Sequence, residues 1–107
     1  MTPLLVTTTT STEDEARKLS DLLVEGRLAA CVNIVGPIAS CYFWQGEVQK
    51  DTEFKLFIKT AEEKWPALQV AVEKHHSYDT PELTAIKVED MHPKYRAWLV
   101  EYLEGGS

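Results

Sequence analysis

The segment that decides the fold reads LAACVNIV (residues 28–35), GP (36–37), IASCYFWQGEV (38–48), QKDT (49–52) and EFKLFIKT (53–60). The first run is apolar almost throughout, as in an inner strand covered by helices. Gly36-Pro37 interrupts it. Proline gives no N–H to a sheet ladder, so the interruption reads as a bulge or bend inside one long strand. The polar stretch Gln49-Lys50-Asp51-Thr52 predicts a hairpin tip, after which Phe54, Leu56, Phe57 and Ile58 carry the chain back. Apolar side chains fall on both faces of this hairpin: Tyr42 and Trp44 on one side, Phe43 on the other. One layer of helices cannot cover them all.

Outward from the hairpin, Leu4 to Thr10 is a charge-free, β-branched run that predicts a strand. A helix is expected over about 13–25, with Thr12 and Glu15 as a capping box, Ala16, Leu19, Leu22 and Leu23 at helical spacing, and Gly26 as a left-handed exit. Thr60-Ala61-Glu62-Glu63 repeats the capping pattern. It opens a second helix to about residue 76, with Trp65, Leu68, Val72 and His76 near one face and Pro66 near the start. A turn over 77–81 leads to a strand over 82–88. Pro93 then opens a last helix carrying Tyr95, Trp98, Leu99 and Tyr102, which frays at Gly105-Gly106-Ser107. The fold class is α+β: a ferredoxin-like βαββαβ sandwich with a long hairpin and an added C-terminal helix. Both main helices lie on one sheet face, so the bare face should meet another subunit, and a homo-oligomer is expected.

The 107 residues suffice for one domain, 1–107. With 44% hydrophobic and 26% charged residues, the chain has the core material that disordered chains lack. Its net charge of −6 opposes binding to phosphate backbones and anionic lipid, so neither nucleic acid nor membrane is an expected partner. No apolar stretch approaches a membrane span and no basic region precedes the first strand; a cytoplasmic protein is expected. Cys31 and Cys41 sit in apolar runs and read as buried, reduced thiols.

Few residues signal chemistry. His75-His76 is a candidate site for Cu(II) or another divalent metal ion, although helical neighbours point about 100° apart and the pair can equally cap and pack a helix end. His92 reads as the cap of the last helix. Lys59 and Glu82 are charges beside buried elements, able to form a polar pocket or a structural ion pair. Trp44-Gln45-Gly46 offers an aromatic platform beside a glycine, for ligand stacking or for a core plug with a bulge. Nucleophile elbow, Walker loop, GxGxxG and HExxH patterns are all missing, so neither an enzyme nor an organic cofactor is expected. An RNA-recognition module would need a basic, aromatic strand face, and an acylphosphatase-like enzyme a phosphate cradle after the first strand; this sequence has neither.

Taken in order, Leu28–Ile34, Ser40-x-Tyr42-x-Trp44-x-Gly46, Lys59-Thr60, His75-His76-x-Tyr78-x-x-Pro81-Glu82 and Tyr95-x-x-Trp98 resemble the CutA divalent-cation tolerance family over nearly the whole chain. The resemblance implies a homotrimer similar in architecture to the PII signalling proteins, with hairpin strands paired between subunits. It also implies copper binding by a cysteine at the end of the first strand and two adjacent histidines. His75 and His76 match that pair. The cysteine is replaced, because the stretch reads Thr7-Thr8-Thr9-Thr10-Ser11, and hydroxyls are poor ligands for soft Cu(I). The rival expectation from the same resemblance is a trimeric signalling or scaffolding module. Its inter-subunit clefts would bind a small molecule or protein partner near Trp44, Lys59, Tyr78 and Glu82, with Cys31 packing nearby.

Overall fold

Strand β1 (Pro3–Thr10) forms where charge-free β-branched residues leave nothing to solvate, and it lies inside a four-stranded sheet. The computed structural model describes residues 1–106; Ser107, the end of the expected fray, lies outside the described residues. After β1 come α1 (Glu13–Glu25), β2 (Cys31–Trp44), β3 (Glu47–Ala61), α2 (Trp65–His75), β4 (Thr84–Lys87) and α3 (Pro93–Leu103). A 3₁₀ turn at Glu62–Lys64 leads into α2. The sheet order is β2-β3-β1-β4 and every pair is antiparallel.

The period-2 alternation of β1 and β3 sorts their side chains between two faces. Leu4, Val6, Leu56 and Ile58 point to the inner face, where they pack with Ala16, Leu19 and Leu23 of α1 and Leu68 and Val72 of α2. A second cluster joins Leu99 and Leu103 of α3 to Ala30 and Ala61. Each fully buried leucine here contributes about 1.5–3 kcal/mol relative to exposure. The outer face is left largely open by the described residues, and Val35 and Ile86 on it are each 49% exposed. Beyond the core the β2–β3 hairpin continues as an arm bearing exposed Tyr42, Phe43, Trp44 and Val48. This arm draws the molecule out to 45 × 25 × 23 Å.

Several local expectations are corrected. The hairpin turns at Gln45-Gly46, between the paired residues Trp44 and Glu47, and not at 49–52. Both turn residues have positive φ, 51° and 80°, the two-residue geometry whose twist matches the flanking strands. Gln49–Thr52 is polar because it belongs to an arm in solvent, not because the chain reverses there. Thr60 does not cap a helix: β3 runs on to Ala61, and the buried Thr60 hydroxyl donates to the Leu28 carbonyl at 2.7 Å. Gly26 has φ −80°, and Arg27 takes the left-handed position at φ 56°. The guanidinium of Arg27 holds it there by donating to the carbonyls of Tyr102 and Gly106. The last strand spans four residues rather than 82–88. Cys31 is half-buried on the outer parity of the sheet beside Lys59, and Cys41 is exposed because it sits on the arm beyond the core.

Other readings hold. A register shift between Val35 and Ile38 marks the irregularity at Gly36-Pro37 inside one continuous β2. Thr12 caps α1 by accepting the Glu15 N–H at 3.1 Å. The His92 Nδ1 accepts the Lys94 N–H at 3.2 Å as the cap of α3, and Pro66 sits in the first turn of α2.

Candidate ligand cleft

A cleft of about 610 Å³ opens between the hairpin arm, from Ile38 out to the turn residue Gln45, and the segment that joins α2 to β4. Tyr42, Trp44 and Tyr78 supply its aromatic lining, and Glu53, Lys55 and Glu82 its charges. A site of this kind, concave with a few placed polar groups, is the usual form of a small-molecule pocket. The strand pleat explains part of the placement. Thr7, Thr9, Lys55, Phe57 and Lys59 share one parity of the β1–β3 ladder, opposite to the buried Leu56 and Ile58.

The connecting segment is tethered along its length. The fully buried His76 ring has its Nε2 2.7 Å from the Thr9 carbonyl. A carbonyl oxygen only accepts, so Nε2 carries the hydrogen and Nδ1 is left to accept the Tyr78 N–H at 3.0 Å. The Glu15 carboxylate takes both the N–H and the hydroxyl of Ser77 at 2.9 Å. It therefore fixes the loop instead of closing the capping box. Tyr78 donates its hydroxyl to Glu53 Oε2 at 2.9 Å, and its ring lies 4.9 Å from that of His76. Glu82 accepts from the Thr7 hydroxyl at 2.8 Å and from Lys55 Nζ at 3.2 Å.

These contacts set the electrostatics. Burial, together with the Glu53 carboxylate, pushes the Tyr78 phenol well above its ordinary range and keeps it a donor. For Glu82, burial alone would raise the pKa. The hydrogen bonds from Thr7 and Lys55 overcome it and hold the carboxyl below 4.5.

Of the residues singled out from sequence, Trp44, Tyr78 and Glu82 line this one cleft. Lys59 does not: its Nζ donates to Asn33 Oδ1 at 2.7 Å and lies 5.9 Å from the Tyr95 ring centroid. The partner of Glu82 is Lys55, four residues earlier on the same face. Cys31 lies beside Lys59 and Tyr95, away from the cleft; Cys41 is the cysteine that lines it. The two histidines are separated in role. His75 is exposed, with Nδ1 3.0 Å from the Ala71 carbonyl, while both nitrogens of His76 are occupied inside the chain. An ion shared by the pair would have to displace the Thr9 and Tyr78 contacts. Among the described residues no three His, Cys, Asp or Glu side chains converge as a metal centre. Sequence reasoning missed Glu53, Lys55 and Tyr42. A signal for Lys55 was present, since it repeats the strand parity of Lys59.

Residues 4–102, which contain the whole cleft, match the family model described as CutA1 divalent ion tolerance protein. The chain belongs to the CutA1 family. The divalent-cation tolerance protein CutA of Thermus thermophilus is 42% identical over 97 residues, covering 91% of this chain and 94% of that relative. The chloroplastic protein CutA 1 of Oryza sativa is 40% identical over 96 residues, covering 90% of this chain and 54% of that relative. This chain thus spans about half the length of the plant CutA protein. The solved Cut A1 structure from Thermus thermophilus superposes with a TM-score of 0.88 at 41% identity, covering 91% of this chain and 94% of that one. That of CutA1 from Oryza sativa gives 0.93 at 37% identity, covering 95% and 94%. The small α+β architecture, with its four-stranded antiparallel sheet and three helices, is therefore that of solved CutA1 proteins.

Proposed function

We propose that this CutA1-family chain is a divalent-cation tolerance protein that acts as a non-enzymatic, PII-like binding module, holding a small molecule or protein partner in its cleft. The observation that carries this reading is the cleft itself, where aromatic walls meet charges already fixed by internal hydrogen bonds. Such preorganisation reduces the ordering cost of binding. The reading includes one domain over 1–107 with the ferredoxin-like topology, which the βαββαβ order and the strand order β2-β3-β1-β4 support. It also includes a homotrimer in the cytoplasm. The uncovered sheet face and the apolar arm favour self-association, and a trimer would set each cleft beside a neighbouring subunit.

A second reading keeps the divalent cation of the family name. The His75 Nε2 takes no hydrogen bond among the described residues and is free for one weak Cu(II) or other divalent contact. His76 joins it only by giving up Thr9 and Tyr78.

Native mass spectrometry with graded Cu(II) and a metabolite mixture tests both readings. The expected result is a species near three times 12.1 kDa that retains a small-molecule adduct, loses the adduct in Trp44→Ala, and takes copper only weakly. A monomer at micromolar concentration overturns the assembly. Stoichiometric copper, lost in His75→Ala with no organic adduct in any sample, overturns the cleft reading.

A further inference from the structure

Glu53 is a buried charge without an ion pair among the described residues. It is only 6% exposed, in a position where charged groups are normally paired. Tyr78 donates to Oε2, while Oε1 takes no hydrogen bond from the described residues and stays open to solvent, since Thr8 Oγ1 is the one buried side-chain polar atom without a partner among them. No Lys, Arg or His of the described residues forms an ion pair with this carboxylate. Lys55, the one cation among the described residues that line the cleft, is already engaged by Glu82. Three carboxylates, Glu53, Asp79 and Glu82, thus face the cleft against a single lysine.

The remaining walls have a matching character. Tyr42, Trp44 and Tyr78 present aromatic surface, and Trp44 is 44% exposed. Aromatic faces attract cations through the ring quadrupole, most strongly for tryptophan and in desolvated surroundings. An anionic ligand would instead meet the Glu53 carboxylate, which has no cation paired with it among the described residues, a like-charge juxtaposition that interfaces use to reject wrong partners.

Resting on the reading of this cleft as a ligand site, we propose that its ligand is a small organic cation, an amine or quaternary ammonium compound with an apolar body. The positive group pairs with Glu53, and the body lies against Trp44 and its aromatic neighbours. The Lys55–Glu82 pair closes one side of the cleft as a neutral wall, and of the two remaining carboxylates Asp79 is exposed to solvent and screened, so the buried Glu53 sets the preference for charge.

Three probes of similar shape test this: phenethylammonium, 2-phenylethanol and 3-phenylpropionate, each titrated into the isotope-labelled protein while amide and Trp44 indole resonances are followed. Phenethylammonium is expected to shift the Trp44 and Tyr78 signals with an affinity about tenfold above that of the alcohol, and the carboxylate is expected to bind least. Glu53→Gln keeps an acceptor for Tyr78 and should erase the advantage of the cation while leaving alcohol binding unchanged. Equal or tighter binding of the carboxylate at the same resonances overturns the cation assignment and leaves the cleft reading standing. Silence of the cleft resonances towards all three probes at millimolar concentration overturns both. Should Glu53→Gln fail to fold, the charge series on the unmodified protein decides the matter alone.

Discussion

The imidazole of His76 and the backbone of Thr9 are joined at 2.7 Å, Nε2 to carbonyl oxygen, which pins the segment after α2 to the outer end of β1. One of the two adjacent histidines is therefore a structural bolt, and the other, His75, projects into solvent. His76→Ala removes two hydrogen bonds and a buried ring, and should lower stability by about 2–4 kcal/mol. His75→Ala should stay within about 0.5 kcal/mol of the parent. Urea unfolding of both variants checks this contrast; equal effects would refute it.

Glu82 gives the stability a defined acid limb. Its folded carboxyl titrates below 4.5, so the native state binds this proton less readily than the unfolded chain. The resulting stabilisation is complete above that value and is lost as pH falls through the folded pKa. Glu82→Gln should therefore be destabilised at neutral pH and converge on the parent as the pH is taken well below 4.5, as read from urea midpoints along that series.

Tyr78 should behave in the opposite sense. Its phenol is raised from 10.0 by burial and by Glu53, so its contribution persists through neutral pH and is lost only in strong alkali. Near-ultraviolet absorbance titration of the parent and of Tyr78→Phe should give superimposable curves around pH 10. A phenolate step there that vanishes in the variant would contradict the arrangement.

Gly36 has no room for a methyl group, because a Cβ at this position would clash with Cδ1 at the edge of the Phe54 ring. Gly36→Ala should cost about 1–3 kcal/mol through displacement of that ring. Gly36→Ala combined with Phe54→Leu should recover part of the loss, as measured by thermal melting. Independent, additive effects would show that the two sites do not touch.

The outer sheet face provides a separate test of assembly. Val35 and Ile86 stand half-exposed on it, and Ile86 is paired with Leu5 of β1. Ile86→Lys places a charge where a second copy would pack, and should lower the sedimenting mass with little change in far-ultraviolet dichroism. An unchanged mass would put the contact elsewhere.

Much of this molecule was legible in its sequence wherever one local pattern decided the outcome. The β-branched run of β1, the Thr12 cap of α1 and the first-turn prolines of α2 and α3 stand where residue chemistry alone puts them. The hairpin turn was not legible, because Gln45-Gly46 is a weaker signal than Asn-Gly and the polar residues at 49–52 imitate a tip. At the cleft, Trp44, Tyr78 and Glu82 were within reach of sequence reasoning. Lys55 and Lys59 were indistinguishable there, since both occupy the same strand parity. Only the β1–β3 register and the path of the chain after His76 decide which lysine meets Glu82.

The ties on the chain after α2 bear on kinetics. His76, Ser77, Tyr78 and Glu82 are each held by another element, so at most three residues run between consecutive anchors. A segment with so little slack does not swing aside to admit a guest and then fold back over it. Uptake by such a rigid wall should be a single encounter, its observed rate rising linearly with concentration and showing no plateau, and differences in affinity among ligands should reside in how quickly they leave.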